Sequence, residues 1–415
     1  MVAKRYVPSR FVERIEKLMG SALKSKDLGF INEAIPLTEL ERLQEFASID
    51  SATLNKTGVD RMQARVGETL EELGFRVQTL RGEERFSHLI IAERPGRLRK
   101  YISLVTHTDT VLGNYREFAW EPESAKAFGS GVIDNKGGVV VGLGGLARFL
   151  RAFPQTEYSL RVICSPNEEM GSIGFTSVYR ELAADTVVAF GLEPALDNGS
   201  IIHQRRGNRW YDIEVQGREA HAGRSYGEHA NAAHDLASKI VALSQLTNYR
   251  KHMSVSVGHI AGGKDKHNIV CGHAVAKLDV RFPTVEARDY MHRKIDKILG
   301  QAVEVSSCGK YRTETKYRIV DDCPPFSLTR RSKRLARSYA ALVSQLEGRK
   351  VYSQPAGGAG DVNYLSTSDN FVLDGLGPVG GEMHTSYEFV HVNTLQTRAQ
   401  ALAGFLFHLQ SLKPA

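Results

Sequence analysis

The chain has 415 residues, which exceeds the usual size of a single hydrophobic core and therefore predicts two domains. Hydrophobic residues make up 42% and charged residues 24%, as in an ordinary soluble globular protein, and no apolar stretch approaches the roughly 18 residues of a membrane span. The formal net charge is +7, but the basic residues are dispersed and not interleaved with aromatic residues, so we expect attraction of small anionic substrates and no nucleic-acid partner.

The cysteines are far apart and form no C-x-x-C motif; they are Cys164, Cys271, Cys308 and Cys323. This spacing is typical of reduced thiols rather than of a disulfide framework or a zinc–thiolate site. The basic residues near the N-terminus are not followed by an apolar segment, which argues against a secretory signal. A cytoplasmic location is therefore predicted.

The N-terminal part is predicted to be helical. Two helices are expected within residues 8–48, and the second begins at Thr38-Glu39-Leu40-Glu41 with the pattern of a capping box. Residues 1–35 are interpreted as a helical extension outside the main domain. Apolar residues at helical spacing predict an amphipathic helix over residues 58–73, which Gly74 ends.

Strands and helices alternate through the next part of the chain. Apolar, β-prone runs predict strands at residues 75–80, 89–92, 101–105, 159–164 and 186–192. Helices are expected between the last three of these strands, at residues 139–153 and 175–182. This alternation predicts a mixed, mostly parallel sheet flanked by helices.

From residue 207 the pattern changes to β-α-β-β-α-β, the order of a ferredoxin-like unit. The strands of this unit are predicted at residues 210–216, 255–261, 274–282 and 311–319, and its helices at 228–246 and 285–299. After a hinge at Cys323-Pro324-Pro325, helices at 329–346 and 394–412 and a strand at 371–373 complete the first domain. The predicted fold is an α/β domain of residues 36–206 and 320–415 with an inserted ferredoxin-like α+β domain of residues 207–319.

The segment YISLVTHTDT, residues 101–110, places polar residues at the end of a buried strand. His107 and Asp109 are two residues apart and therefore point to the same side of the strand. Open α/β sheets form their sites at the carboxyl ends of parallel strands. An imidazole at this edge is a potential zinc ligand, and a neighbouring carboxylate can orient its other ring nitrogen.

More ligand-type side chains follow along the chain. Asp134 lies in a glycine-rich turn, Glu168 and Glu169 follow the strand at 159–164, Glu193 ends the strand at 186–192, and His384 lies in a glycine-rich loop. Of two adjacent carboxylates, one can bind a metal while the other acts as general base. Each residue alone is more often structural. Two zinc ions could be held by five of these side chains if one carboxylate is shared, namely His107, Asp134, Glu169, Glu193 and His384.

The inserted domain carries a polar cluster of its own. His221 follows a strand, and Asn268 follows a pair of glycines. Arg281 lies late in an alternating strand, where it is either a solvent-facing charge or a bidentate clamp on a substrate carboxylate.

Seven blocks occur in a characteristic order, and they are HTDT (107–110), GVIDNKGG (131–138), EEMGS (168–172), EP (193–194), AHAG (220–223), DVRFP (279–283) and LDGLGP (373–378). Together they resemble the co-catalytic zinc aminoacylase/carboxypeptidase family, which includes glutamate carboxypeptidase, succinyl-diaminopimelate desuccinylase and acetylornithine deacetylase. The similarity extends from about residue 40 to the end of the chain and is strongest to the bacterial glutamate carboxypeptidase branch.

The resemblance implies a metal-binding role for five residues. His107 and Glu193 would hold one zinc ion, Glu169 and His384 the other, and Asp134 would bridge the two. The family's bridging carboxylate is followed by a cis peptide bond, so the Asp134–Asn135 bond is expected to be cis.

The resemblance also implies catalytic and substrate-binding roles. Asp109 would orient His107, and Glu168 would take a proton from water and pass it to the leaving amine. His221, from the partner subunit of a homodimer, and Asn268 would polarise the scissile carbonyl. The substrate carboxylate would be bound by Arg281 and by the backbone at Gly357 and Gly358.

The leading hypothesis is a di-zinc hydrolase that cleaves a peptide or amide bond next to a free carboxylate, with cobalt or manganese as alternative metals. An N-acyl-amino-acid deacylase, which performs the same chemistry on a different acyl group, is the first alternative. A catalytically silent dimeric binding protein on the same scaffold is the second, although the expected ligands and base are all present in the sequence.

Overall fold

The computed structural model of the protein describes residues 25–410 except Tyr226 and Leu328. These residues form two compact units. The first unit contains the described residues of 1–204, 328–356 and 360–415, and the second contains those of 205–327 and 357–359. Each unit has its own buried apolar core. The second unit is thus an insertion into the chain of the first.

The helices and strands of the described residues are numbered in chain order. The helices are α1 (Glu39–Ala47), α2 (Lys56–Glu72), α3 (Lys136–Ala152), α4 (Thr176–Leu182), α5 (Ala232–Ser244), α6 (Val285–Leu299), α7 (Arg330–Glu347) and α8 (Val392–Gln410). The strands are β1 (Arg76–Leu80), β2 (Leu89–Arg94), β3 (Leu98–His107), β4 (Ala119–Glu121), β5 (Lys126–Phe128), β6 (Tyr158–Ser165), β7 (Thr186–Gly191), β8 (Ile201–Arg205), β9 (Gly207–Gln216), β10 (Ser254–Gly262), β11 (His273–Phe282), β12 (Glu314–Cys323), β13 (Ser353–Ala356), β14 (Phe371–Leu373), β15 (Gly380–Gly381) and β16 (Phe389–His391). Short 3₁₀ helices cover Ser25–Asn32, Glu168–Met170, Tyr249–Lys251 and Asp361–Leu365.

The central sheet of the first unit has the strand order β1-β2-β6-β3-β7-β14. Strands β6, β3, β7 and β14 are parallel, whereas β2 is antiparallel to both of its neighbours, β1 and β6. Strand β6 is buried over its whole length, as expected for a parallel strand covered on both faces. This mixed, mostly parallel and helix-flanked sheet confirms the predicted fold class.

The register of the sheet brings the carboxyl ends of three strands together. His107, the last residue of β3, pairs with Ser165, the last residue of β6, and Val105 of β3 pairs with Gly191 at the end of β7. The chain segments that leave these strands therefore start at one edge of the sheet. Those segments carry Asp109, Glu168, Glu169 and Glu193.

A smaller antiparallel sheet in the first unit was not predicted from the sequence. Its order is β15-β16-β5-β4, and its strands are only two or three residues long. Such short strands lack the alternation from which a strand is predicted. The loop between β15 and β16 carries His384, so this sheet fixes both ends of that loop. Strands β8 and β13, also not predicted, form a separate two-stranded sheet.

The second unit contains a four-stranded sheet of order β10-β11-β9-β12, in which all neighbours are antiparallel. With α5 after β9 and α6 after β11, the element order is the predicted β-α-β-β-α-β. Tyr211 and Ile213 of β9 are buried in the core of this unit. On the opposite face Asp212 accepts hydrogen bonds from Lys277 at 3.0 Å and from Arg318 at 2.7 Å.

Several details of the prediction can be compared with the structure. The capping box at the start of α1 is confirmed, since the side chains of Thr38 and Glu41 each accept from the other residue's backbone N–H.

The predicted strand at 311–319 is shifted. Strand β12 continues to Cys323 because it remains paired with β9, so a boundary at residue 320 would cut this strand. The first predicted N-terminal helix lies outside the described residues. Within the described part of the chain, no helix has both the length and the apolarity needed to cross a membrane.

Candidate metal centre

His107 and Asp109 are both fully buried at the end of β3. The Nδ1 atom of His107 lies 3.0 Å from the backbone oxygen of Asp109 and 3.2 Å from its Oδ1 atom. Because both neighbours of Nδ1 are acceptors, this nitrogen carries a proton, and the lone pair of a neutral imidazole is then on Nε2. The Asp109 carboxylate is itself fixed by the hydroxyl of Thr53 at 2.8 Å and by the backbone N–H of Glu168 at 3.0 Å.

Asp134 lies two residues before the start of α3, and the peptide bond to Asn135 is cis, as predicted. Its two carboxylate oxygens face two different histidines. The Oδ1 atom is 3.2 Å from His107 Nε2, and the Oδ2 atom is 3.2 Å from His384 Nε2. The two histidines thus lie on opposite sides of one carboxylate.

The remaining carboxylates complete the two sides of this cluster. Glu193 Oε1 lies 3.7 Å from His107 Nε2 and accepts a hydrogen bond from the Asn135 side-chain amide at 3.1 Å. Glu169 Oε1 lies 3.4 Å from His384 Nε2 and accepts no hydrogen bond from the described residues, although it is buried. All five side chains predicted as metal ligands are therefore close together in the first unit.

The donor spacing fits divalent metal ions. Donors bound to zinc at about 2.0–2.1 Å in a tetrahedral arrangement lie about 3.3 Å apart. The nitrogen–oxygen distances of 3.2–3.7 Å around the two histidines are close to this value. Ligand atoms of His107, Asp134 and Glu169 also lie within 4.8 Å of one another. Imidazoles and carboxylates, without thiolates, are the ligands that zinc, cobalt and manganese share.

The carboxylates of the cluster have opposite pKa shifts. Burial raises the pKa of Glu168 well above its usual range, and the charge of Glu193 adds to the rise. Burial acts in the same direction on Asp134, but hydrogen bonds with His107 and His384 outweigh it and leave the pKa of Asp134 lowered. Asp134 therefore stays ionised, whereas Glu168 has the higher proton affinity that a general base needs. Burial also raises the pKa of Glu169.

Two further carboxylates support the cluster and were not identified from the sequence. Glu388 is 5% exposed and accepts backbone N–H groups from the loop that carries Asp134. Asp361 accepts hydrogen bonds from the Ser172 hydroxyl at 2.6 Å and from the Tyr179 hydroxyl at 2.8 Å, next to the 3₁₀ helix that carries Glu168. The sequence gives no signal for Glu388, because its donors are backbone N–H groups of a loop more than 250 residues away.

The other predicted site residues belong to the second unit. His221 is exposed, and its Nδ1 atom accepts the backbone N–H groups of Gly223 and Arg224, both at 3.2 Å. A neutral imidazole held in this way carries its proton on Nε2 and presents it as a donor. The side-chain amide of Asn268 lies 3.5 Å from this nitrogen.

Arg281, Gly357 and Gly358 are all engaged in contacts within the second unit. The Arg281 guanidinium donates from Nε and Nη2 to the Asp279 carboxylate, each at 2.7 Å. This ion pair lies along one face of β11, where the Arg281 side chain is 26% exposed. The carbonyl oxygens of Gly357 and Gly358 accept from the side chains of Arg206 and Arg205, at 3.2 Å and 3.1 Å.

Comparison with known proteins places these features in a family. Residues 104–408, most of the chain, match the model of peptidase family M20/M25/M40. Carboxypeptidase G2 of Pseudomonas sp. strain RS-16 is 23% identical over 377 residues, which cover 89% of both chains. A succinyl-diaminopimelate desuccinylase of Magnetococcus marinus is 24% identical over 366 residues, which cover 82% of this chain and 90% of the relative.

Solved structures share the fold. The metallo-carboxypeptidase Sso-CP2 of Sulfolobus solfataricus has a TM-score of 0.71 at 15% identity and covers 90% of this chain and 99% of its own. The aminopeptidase PepT of Bacillus cereus has a TM-score of 0.70 at 17% identity and covers 89% and 98%. The resemblance predicted from the seven sequence blocks is confirmed. The chain belongs to peptidase family M20/M25/M40 and is a metal-dependent hydrolase.

Proposed function

We propose that this protein uses two divalent cations, zinc in the first instance, to hydrolyse a peptide or amide bond next to a free carboxylate. His107 and Glu193 would hold one cation, Glu169 and His384 would hold the other, and Asp134 would be shared. The observation that carries the proposal is the position of Asp134, whose two oxygens each lie 3.2 Å from a different histidine.

When bound, a pair of cations supplies Lewis acidity, which lowers the pKa of water and polarises a carbonyl oxygen. The chain supplies the proton transfers. Glu168 takes a proton from the attacking water and passes it to the leaving amine, and its raised pKa favours the first of these steps. The backbone N–H groups of Glu168 and Glu169 both donate to Asp109, so one carboxylate orients His107 and the segment that carries the base.

The second unit contributes a hydrogen-bond donor. His221 presents its Nε2–H group, because Nδ1 is held by two backbone N–H groups. A donor of this kind stabilises the oxyanion that forms when water attacks the carbonyl. By the resemblance to the family, we propose that His221 acts in the partner subunit of a homodimer and that Asn268 assists it. The Asp279 carboxylate orients Arg281 for a substrate carboxylate.

The Glu168→Gln variant tests the proposed base. The amide cannot accept a proton, so we expect kcat to fall by about 10²–10⁴-fold while two zinc ions per chain remain bound. Zinc content is measured by plasma mass spectrometry and turnover with a dipeptide that ends in glutamate. Near-normal turnover would reject Glu168 as the base, and fewer than two ions in the unmodified protein would reject the two-cation site.

A deacylase is the second candidate function, because succinyl-diaminopimelate desuccinylases are among the relatives at 24–25% identity. The bond cleaved and the proton transfers are the same, and only the acyl group differs. Zinc-loaded protein should therefore be assayed on matched pairs of dipeptides and N-acyl amino acids with the same C-terminal residue. A higher kcat/KM on the N-acyl member of most pairs would favour the deacylase.

A further inference from the structure

Glu388 is a buried carboxylate that receives three backbone N–H groups from one loop. The N–H of Gly131 donates to its Oε2 atom at 2.9 Å, and those of Ile133 and Asp134 donate to its Oε1 atom at 3.0 Å and 3.1 Å. Hydrogen bonds to an ionised carboxylate are stronger than neutral ones. The loop that carries Asp134 is thus fixed on a single side chain that lies more than 250 residues further along the chain.

Glu388 also lies in the same short chain segment as His384. Glu388 is four residues after His384 and directly precedes β16, where Phe389 pairs with Gly381 of β15 and with Phe128 of β5. The backbone of His384 has a positive φ of 62°, which a non-glycine residue adopts at some energetic cost. The conformation of the His384 loop is therefore maintained by the small sheet at its end and not by the backbone preference of its residues.

The loop on the other side has little freedom to adjust. Gly131 has a φ of 73°, and a Cβ atom at this position would lie 2.6 Å from the Thr110 side chain. The N–H of Lys136 donates to the Gly131 carbonyl at 2.9 Å, and the Lys136 ammonium donates to the Ile49 carbonyl at 2.8 Å. A change at Glu388 would therefore be transmitted to Asp134 rather than absorbed locally.

We infer that Glu388 is a positioning residue that couples the Asp134 loop to the His384 loop and so sets the geometry of the cation site formed by Glu169 and His384. The inference rests on the proposed function, because it assumes two cations that share Asp134. The other site depends less on Glu388, since His107 and Glu193 leave the ends of β3 and β7 and do not lie on the segment that carries Glu388.

The Glu388→Gln variant tests this coupling. Whichever way the amide turns, its NH₂ group faces at least one backbone N–H that the carboxylate now accepts. Because Asp134 is shared, we expect both zinc ions to bind more weakly. The ion at Glu169 and His384 should lose about 10–100-fold in affinity, as is usual for residues that orient metal ligands, and the other ion should lose less. Occupancy is measured by native mass spectrometry after dialysis against graded concentrations of free zinc.

A double variant separates positioning from general stability. In His384→Ala only one ion should remain, and adding Glu388→Gln to it should weaken that ion less than Glu388→Gln alone weakens the ion at Glu169 and His384. The matched control is Glu39→Gln, which removes another buried carboxylate, paired with Arg148, and should leave both ions in place. If Glu388→Gln does not fold, Glu388→Asp keeps the charge but shortens the side chain, and the same selective loss is expected.

The outcomes distinguish a failure of the role inferred for Glu388 from a failure of the proposed two-cation function. Equal weakening of both ions, no weakening of either, or a remaining ion in the double variant that is weakened as much as the ion at Glu169 and His384 would overturn the role of Glu388. An unmodified protein that binds fewer than two ions contradicts the proposed function itself.

Discussion

The two units present their polar residues in different ways. In the first unit, histidines and carboxylates from distant parts of the sequence converge at strand ends, and His107 and Asp109 are fully buried. In the second unit, His221 and Asn268 are exposed and have mainly local partners, and Asp212 forms its ion pairs on an open sheet face. The first arrangement suits a cation, because its imidazole and carboxylate donors lie 3.2–3.7 Å apart. The second suits a donor or clamp that meets a ligand from solution.

Metal removal should have the largest effect, and it should change the stability of the first unit but not that of the second. Chelation is expected to abolish turnover completely, and added zinc should restore it. Because bound ions stabilise only the state that binds them, saturation at about 100 times Kd adds about 2.7 kcal/mol to the stability of the first unit. Calorimetry with and without chelator should shift one unfolding transition and leave the transition of the second unit in place. Turnover that survives exhaustive chelation would contradict the assignment.

The His221→Ala variant removes a donor without touching the cation cluster. We expect kcat to fall by about 10²–10³-fold, as for the loss of one oxyanion donor, with zinc content unchanged. The matched control is His273→Ala, which removes an exposed histidine of the same unit that lies 2.9 Å from Glu214. A similar loss in both variants would mean that the loss of any exposed histidine from the second unit lowers kcat. His221 would then have no specific role.

The action of His221 in a partner subunit can be tested by mixing. His221→Ala and Glu168→Gln chains are each expected to be nearly inactive. A mixed dimer contains one site with both an intact His221 and an intact Glu168, so co-refolding should restore up to about one quarter of the normal activity when chains pair at random. Activity no greater than the sum of the two separate variants would assign His221 to its own chain.

The Asp109→Asn variant should have a smaller effect. The amide loses the charge that orients His107, so the affinity for the cation on that side is expected to fall by about 10–100-fold, while saturating zinc restores most of the turnover. Zinc titration followed by activity provides the measurement. Loss of turnover that zinc cannot restore would mean that Asp109 acts mainly through the segment that carries Glu168.

Asp212→Ala should have the smallest effect. Its ion pairs with Lys277 and Arg318 lie on an exposed face, where such pairs contribute less than about 1 kcal/mol. Urea unfolding provides the measurement, and zinc content and turnover should not change. A loss of several kcal/mol would mean that this face is covered in solution.

The sequence predicted those features that depend on strand ends. His107, Asp109 and Glu193 follow apolar runs, and parallel strands must bring their carboxyl ends to one edge. Glu388 could not be assigned from the residues alone, because its three backbone donors are far away in the chain and backbone groups carry no sequence signal. The sequence did not decide whether Arg281 pairs with Asp279. A two-residue spacing permits the contact but does not require it.

The interruption of the first unit by the second has a consequence for synthesis. The inserted unit is almost continuous in the chain and can fold as soon as residue 327 has left the ribosome. The cation cluster cannot be completed until His384 and Glu388 have emerged as well. Metal would therefore be bound late, after most of each chain has been synthesised.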